Sequence, residues 1–243
     1  MDIQGKVALV TGAGRRVGKA IALGLASAGA DIVVAYNASA EEADQTVREI
    51  EALGRRATAF QADLTSPSDI SRLVADGVVA LGGIDILVNS ASRFDRKPML
   101  DITPAEWDLV QAVNVRAPFL LSQSVTPSMR SRGGGVIINI ADLSGLQAWP
   151  GYAHHAVSKA GLIHLTRVAA RALGPLIRVN AIAPGTVLPP EDHDGKDSAG
   201  GPERRVLTRN GTPADVMEAV LYLVRSDFVT GDVIVVDGGR ALL

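Results

Sequence analysis

Short apolar runs alternate with helical stretches along almost the whole chain, and this alternation constrains the fold more than any other feature. Lys6–Val10 ends in a glycine-rich turn, and an Ala/Leu-rich stretch follows to about Ala28, where Gly29 supplies a stop. The pattern continues as strand 31–35, helix 40–53, strand 56–60, helix 67–80, strand 84–88 and helix 105–130. Strand 135–140, helix 152–173, strand 176–181, helix 213–224 and strand 232–236 complete it. Short strands separated by longer helices build βαβ units around a parallel sheet. Val33-Val34, Ile84–Val88 and Val136–Ile140 are continuously apolar, as strands covered on both faces require. Right-handed crossovers then predict an α/β, Rossmann-type doubly wound parallel sheet of about seven strands, with helices on both faces.

At 243 residues and 47% hydrophobic content the chain can bury one large core, and no linker or repeat divides it. Residues 1–243 are therefore expected to form a single domain. Residues 186–212 break the alternation after a strand's carboxyl end, with Pro189-Pro190-Glu191-Asp192-His193 among them, and read as a substrate-binding loop or lid. A formal charge of −2 gives no basic face for nucleic acid or an anionic membrane. The absence of cysteine excludes disulfides and thiolate metal sites. His154, His155, His164 and His193 are not spaced with carboxylates as ligands, so no metal is expected. Met1-Asp2-Ile3-Gln4-Gly5-Lys6 leads straight into a strand without a signal peptide, and no apolar stretch is long enough to span a bilayer. The expectation is a cytoplasmic protein acting on a small molecule.

The first turn reads Gly12-x-Gly14-x-x-x-Gly18. Glycines placed there let backbone N–H groups approach a pyrophosphate at a helix N-terminus, although a tight strand–helix connection alone could use the same residues. The second strand ends in Ala35-Tyr36-Asn37-Ala38-Ser39, with no acid before Glu41. A carboxylate at that point would hold a ribose 2′-OH and repel a 2′-phosphate. Arg15 and Arg16 lie in the glycine-rich turn, where a guanidinium can pair with phosphate through two hydrogen bonds. These features favour NADP(H) over NAD(H).

Further motifs follow in order: Asp63-Leu64, Asn89-Ser90-Ala91, Asn114, Lys159, Pro184-Gly185 and Val233–Gly239. With Thr11-Gly12 through Gly18 they resemble the short-chain dehydrogenase/reductase family over essentially the whole chain. The resemblance implies a cofactor cradle of Gly12, Gly14, Arg15, Arg16 and Val17, with Tyr36, Asn37 and Ser39 toward the 2′-phosphate. Asp63 and Leu64 would meet adenine, while Asn89, Ser90, Ala91, Lys159, Pro184, Gly185 and Val187 would line the ribose and nicotinamide. It also implies a homotetramer, with helices 105–130 and 152–173 at its interfaces.

Two positions depart from the family pattern. Its Tyr-x-x-x-Lys reads His155-Ala156-Val157-Ser158-Lys159, and its serine is Asp142, thirteen residues before His155, in a register fixed by Gly145. Asp142, Arg16 at the middle glycine, and Asn89-Ser90-Ala91-Ser92-Arg93-Phe94 together resemble the pteridine reductases. That resemblance implies substrate contacts from Arg16, Ser92, Phe94 and Tyr152, with Phe94 stacked on the pterin ring. It implies catalysis by Asp142, His155 and Lys159, aided by Tyr152 and an Asn114 water relay.

His155 and Lys159 are i and i+4 and share a helical face. An imidazole, with a reference pKa near 6.5, could replace a phenol as general acid. Lys159 would push that pKa down and Asp142 would push it up, so the sequence leaves the sum unsigned. Tyr152 is expected on roughly the same face as His155, able to substitute in part, and His154 and His164 are expected in surface or packing roles. Reduction of a C=N bond tolerates loss of a phenol better than reduction of a ketone, because a ring nitrogen is basic whereas a ketone must form an alkoxide. The expected function is an NADP(H)-dependent short-chain oxidoreductase reducing a flat conjugated C=N or C=O substrate, pterin-like by resemblance. The alternative is a catalytically impaired NADP(H)-binding protein with a sensor or scaffold role. A third reading is a dehydrogenase of another hydroxy compound with His155 as base.

Overall fold

Seven strands form one parallel sheet in the order β3-β2-β1-β4-β5-β6-β7. They are β1 (Val7–Thr11), β2 (Asp31–Tyr36), β3 (Ala57–Gln61), β4 (Ile86–Asn89), β5 (Gly135–Ile140), β6 (Ile177–Pro184) and β7 (Val233–Val236). The computed structural model describes residues 1–188 and 205–243. The helices are α1 (Arg16–Ser27), α2 (Ala40–Ala52), α3 (Pro67–Leu81), α4 (Pro104–Gln111), α5 (Ala117–Ser131), α6 (Ala153–Leu173) and α7 (Pro213–Arg225).

Successive strand side chains point to opposite faces, and both faces are buried. Val10, Val34, Val88 and Ile138 pack with Ile21, Leu25, Ile50, Val220 and Leu223 of α1, α2 and α7. Their neighbours Leu9, Val33, Leu87 and Ile137 pack with Ile70, Leu73, Leu121 and Val125 of α3 and α5. Each central strand therefore reads as one unbroken apolar run. From β1 the chain builds outward through β2 and β3, then returns to place β4 on the other side of β1. That reversal opens a crevice at the carboxyl ends of β1 and β4, where ligands of such sheets bind.

Element boundaries depart from the sequence expectation in four instructive places. The helix expected over 105–130 is two helices joined by a π turn at Ala112–Arg116. Pro118 has no N–H to donate to the Asn114 carbonyl, so a regular ladder cannot pass through this point. The helix expected from 152 starts at Ala153, because Pro150–Tyr152 is a 3-10 turn and Tyr152 caps α6 with φ −139° and ψ 35°. The strand expected over 176–181 runs on to Pro184, and the one expected over 84–88 is Ile86–Asn89. Of the expected lid, 189–204, including His193, lie outside the described residues, while 186–188 and 205–212 are neither helix nor strand. Among the described residues no helix is long and apolar enough to cross a membrane, and no group of three or more His, Asp or Glu could hold a metal ion.

Candidate functional site

The crevice beside β1 is shaped by what its glycines lack. A Cβ on Gly18 would lie 2.1 Å from the Gly12 carbonyl oxygen, so only glycine lets α1 close onto the turn. Gly12 itself has φ +66°, and a Cβ there would meet Ala91 Cα at 3.1 Å. The turn after β1 and the segment after β4 therefore touch. Thr11 Oγ1 ties them, accepting the backbone N–H of Ser90 and of Ala91 at 3.0 Å each. A Cβ on Gly14 would lie 2.8 Å from Ser39 Oγ, which brings the end of β2 and the start of α2 to the same corner.

Arg16 is the one non-glycine with positive φ among the described residues, at +53°. That left-handed backbone costs an L-residue about 1–2 kcal/mol and is the conformation a glycine would adopt freely. Arg15 and Arg16 are exposed at this corner, Tyr36 and Ser39 are half-buried and Asn37 is exposed. The nearest acids in sequence, Glu41 and Glu42, lie in the first turn of α2. Asp63 is exposed and accepts the Thr65 N–H and hydroxyl at 2.8 Å each, with Leu64 half-buried beside it. Asn89 donates to Asn139 Oδ1 at 2.8 Å, while its own Oδ1 is buried without a protein partner. Gly185 lies against Asp237, where a Cβ would come within 2.9 Å of Asp237 Cβ, and Pro184 and Val187 flank it. A backbone-lined cradle, an unpaired acceptor, two arginines and no carboxylate at the end of β2 fit a phosphorylated dinucleotide.

The carboxyl end of β5 and the start of α6 carry a different arrangement. Lys159 is 3% exposed and donates through Nζ to the Ile140 carbonyl at 2.8 Å. Burial pulls its pKa down to about 8, and the nearby Asp142 carboxyl offsets only part of that. Asp142 is pushed up by its own burial, against hydrogen bonds from Ser144 and the charges of Lys159 and Arg240. Its Oδ1 accepts the Ser144 N–H at 2.7 Å. His155 is 2% exposed, and burial first and the Lys159 charge second take its pKa down to about 3. The sum left open by the sequence is thus strongly negative, because burial outweighs every neighbour. His155 Nε2 lies 3.9 Å from Asp142 Oδ1, but with a neutral ring this contact is no ion pair.

Asn114, on the π turn, reaches across to the segment after β4. Its Oδ1 accepts the Arg93 N–H at 2.8 Å, and its Nδ2 donates to the Arg93 carbonyl at 3.0 Å and to Ser158 Oγ at 2.9 Å. The side-chain amide is therefore a splint for the Arg93 peptide, and any water it orders must be held by its main chain. The same Arg93 carbonyl lies 2.8 Å from His155 Nδ1. Phe94 stacks on Tyr152 with centroids 4.6 Å apart and planes at 18°, and meets His155 edge-on at 4.6 Å. Trp149 meets the Tyr152 ring edge-on at 6.0 Å, and the Arg240 guanidinium lies 4.8 Å over Trp149.

Asp142, His155, Lys159 and Asn114 thus come together, with Phe94 alongside. Tyr152 precedes the first helical residue as the N-cap of α6, and its ring stacks on Phe94, the ring that also meets His155 edge-on. Ser92 is exposed, and its hydroxyl bridges Asn114 Oδ1 and the Arg93 carbonyl at 3.3 Å each. His154 is buried, which leaves packing and removes the surface role, and its carbonyl accepts from Gln111 Nε2. Sequence reasoning missed the Arg93 carbonyl, Ser144 and Arg240. A main-chain acceptor leaves no trace in residue type; Ser144, two residues beyond Asp142, was the one accessible signal.

A parallel sheet with a glycine-shaped crevice at its switch point, and a buried lysine and imidazole with a partly buried carboxyl beside it, defines a nicotinamide-dependent oxidoreductase. Residues 12–241 match the family model described as Enoyl-(Acyl carrier protein) reductase. The chain is 39% identical over 241 residues to an uncharacterized oxidoreductase of Mycobacterium tuberculosis, covering 96% of this chain and 91% of that protein. It is 38% identical over 249 residues to the 7alpha-hydroxysteroid dehydrogenase of Escherichia coli K12, covering 98% and 95%. The crystal structure of a blue fluorescent protein from a metagenomic library, in complex with NADPH, superposes with a TM-score of 0.90 at 36% identity, covering 99% of this chain and 100% of that one. The chain belongs to the short-chain dehydrogenase/reductase family.

Proposed function

We propose that the protein is an NADP(H)-dependent reductase of a flat, conjugated C=N or C=O substrate, pterin-like in shape. One observation carries the substrate class: the exposed Phe94 ring, edge-on to buried His155 and backed by Tyr152, forms an aromatic wall beside Asp142 and Lys159. A flat heterocycle stacked there gains about 0.5–1.5 kcal/mol beyond its burial. NADPH supplies the hydride when bound. Gly12, Gly14, Asn89, Ser90 and Ala91 would hold its pyrophosphate and ribose side, Arg15, Arg16 and Ser39 its 2′-phosphate, and Pro184, Gly185 and Val187 its carboxamide end. The backbone cradle and the acid-free end of β2 support that cofactor, as does the family likeness to a protein crystallised with NADPH.

Within the chain, two groups stand ready to hold the proton that accompanies reduction. Asp142 keeps its proton to higher pH than an ordinary carboxyl because it is buried, and Lys159 gives its proton up near pH 8. His155 stays neutral at working pH and serves as a fixed polar wall. The same reading includes a homotetramer, which sedimentation would test.

The deciding experiment is NADPH oxidation with dihydrobiopterin or dihydrofolate, run beside Asp142→Asn and Tyr152→Phe. Turnover that falls at least a hundredfold in Asp142→Asn, and only modestly in Tyr152→Phe, is the expected result. Tight NADPH binding without turnover of any flat C=N or C=O candidate would replace this reading with a silent NADP(H)-binding protein.

A further inference from the structure

One buried polar atom of the reaction corner has no role in the arrangement so far. His155 Nε2 is enclosed and has no hydrogen-bond partner among the described residues. The other ring nitrogen fixes its character. Nδ1 lies 2.8 Å from the Arg93 carbonyl oxygen, and a carbonyl only accepts, so Nδ1 carries the hydrogen. The one competing donor, Asn114 Nδ2 at 3.4 Å, already aims its two hydrogens at Ser158 Oγ and the Arg93 carbonyl. A neutral ring protonated at Nδ1 presents a lone pair at Nε2.

That lone pair faces a second acceptor. Asp142 Oδ1 is 3.9 Å away and takes the Ser144 N–H, which leaves any carboxyl proton on Oδ2. The two atoms are both acceptors and do not bond each other, and a single donor about 2.8 Å from each would serve both at once.

We propose that His155 Nε2 and Asp142 Oδ1 form an acceptor pair that selects substrates presenting an N–H or NH2 group at this point. His155 is then a specificity-determining acceptor and not the proton donor. The inference rests on the reductase reading above and narrows its substrate to nitrogen heterocycles. A ketone oxygen brought to the same point would add a third acceptor, leaving it and the His155 Nε2 lone pair without a donor, and such a buried mismatch costs on the order of tenfold or more in affinity. The site therefore disfavours substrates that bring only a carbonyl oxygen to this point. A phenol at position 155 would donate instead and reverse the preference.

Two measurements test this on the full-length protein with NADPH. The first is the ratio of kcat/KM for dihydrobiopterin to that for a flat quinone, 9,10-phenanthrenequinone, in wild type, His155→Tyr and His155→Asn. Asparagine retains a donor toward the Arg93 carbonyl but lacks the distal acceptor. The ratio is expected to fall at least tenfold in both variants, with quinone reduction rising only in His155→Tyr. An unchanged ratio in both overturns the proposal. The second is the 15N resonance pattern of His155, which needs no turnover. Hydrogen on Nδ1, and an Nε2 resonance that shifts when dihydrobiopterin is added to the NADP⁺-loaded protein, is the expected result. Hydrogen on Nε2, or an Nε2 resonance indifferent to dihydrobiopterin, overturns it. If wild type turns over neither compound while Nε2 responds, the reductase reading falls and the acceptor pair stands. If it reduces the quinone readily and ignores dihydrobiopterin, the acceptor pair falls and the reductase reading stands.

Discussion

The cofactor corner and the reaction corner lie along the same sheet edge, yet they are made of different material. Beside β1 the shape comes from missing side chains: Gly12, Gly14 and Gly18 sit where a Cβ would strike Ala91, Ser39 or the Gly12 carbonyl. Beside β5 the shape comes from side chains that are present and electrically coupled, namely the buried Lys159 and His155 and the partly buried Asp142. A backbone cradle tolerates almost no substitution but needs no particular ionisation state. A buried cluster tolerates changes of shape more readily, while every charge in it alters the others.

The harshest way to break this contrast is to add a side chain where the first corner has none. Gly18→Val drives Cβ into the Gly12 carbonyl, 2.1 Å from its ideal position. It should cost more than about 3 kcal/mol of stability and abolish NADPH binding, as thermal unfolding and fluorescence titration would show.

Next in size is a change confined to the second corner. Lys159 titrates near 8 when folded against 10.5 as an unperturbed side chain, so between those values the unfolded chain binds more protons. Its penalty is complete below pH 8 and is relieved as pH rises toward 10.5. The stability of wild type relative to Lys159→Met should therefore climb by up to about 3 kcal/mol across that window, measured by urea unfolding at fixed pH values. A difference independent of pH would mean that the lysine is solvated.

A smaller effect sharpens the first corner's preference without disturbing its backbone. Asn37→Asp places a carboxylate at the end of β2, close to where a 2′-phosphate would sit. NADPH should bind at least tenfold more weakly and NADH no worse, read from paired titrations. The smallest expected change is Phe94→Leu, which removes a stacking face from an exposed position. It should weaken dihydrobiopterin binding by roughly 1 kcal/mol while leaving NADPH affinity unchanged, and calorimetry would separate the two.

The same contrast governs what could be read from the sequence. Glycine spacing is a record of backbone geometry, so the crevice after β1 was legible, as was the parallel sheet from its unbroken apolar strands. Asp142, His155, Lys159 and Asn114 could be picked out by resemblance, and the structure brings them within one cluster. Their electrostatics were not legible, since the fall of His155 to about 3 comes mainly from burial, which no spacing reveals. The start of helix 152–173 was set one residue early because Tyr152 is its cap, and helix 105–130 was taken as continuous although Pro118 interrupts its ladder at Asn114. Helix ends and proline-disrupted turns are where counting by 3.6 residues loses its meaning.

One consequence concerns how this site would look to a mutational survey. The group that decides which His155 nitrogen bears the hydrogen is the carbonyl of Arg93, whose side chain points out to an exposed pair with Asp95. Every substitution at position 93 keeps that carbonyl, and all but proline keep the N–H given to Asn114, so a scan of side chains would score the residue as silent. Asn114, which touches the carbonyl from the other side, would register as if it were catalytic. The instruction that sets the protonation pattern is written in the path of the chain, and only its support shows up as sequence.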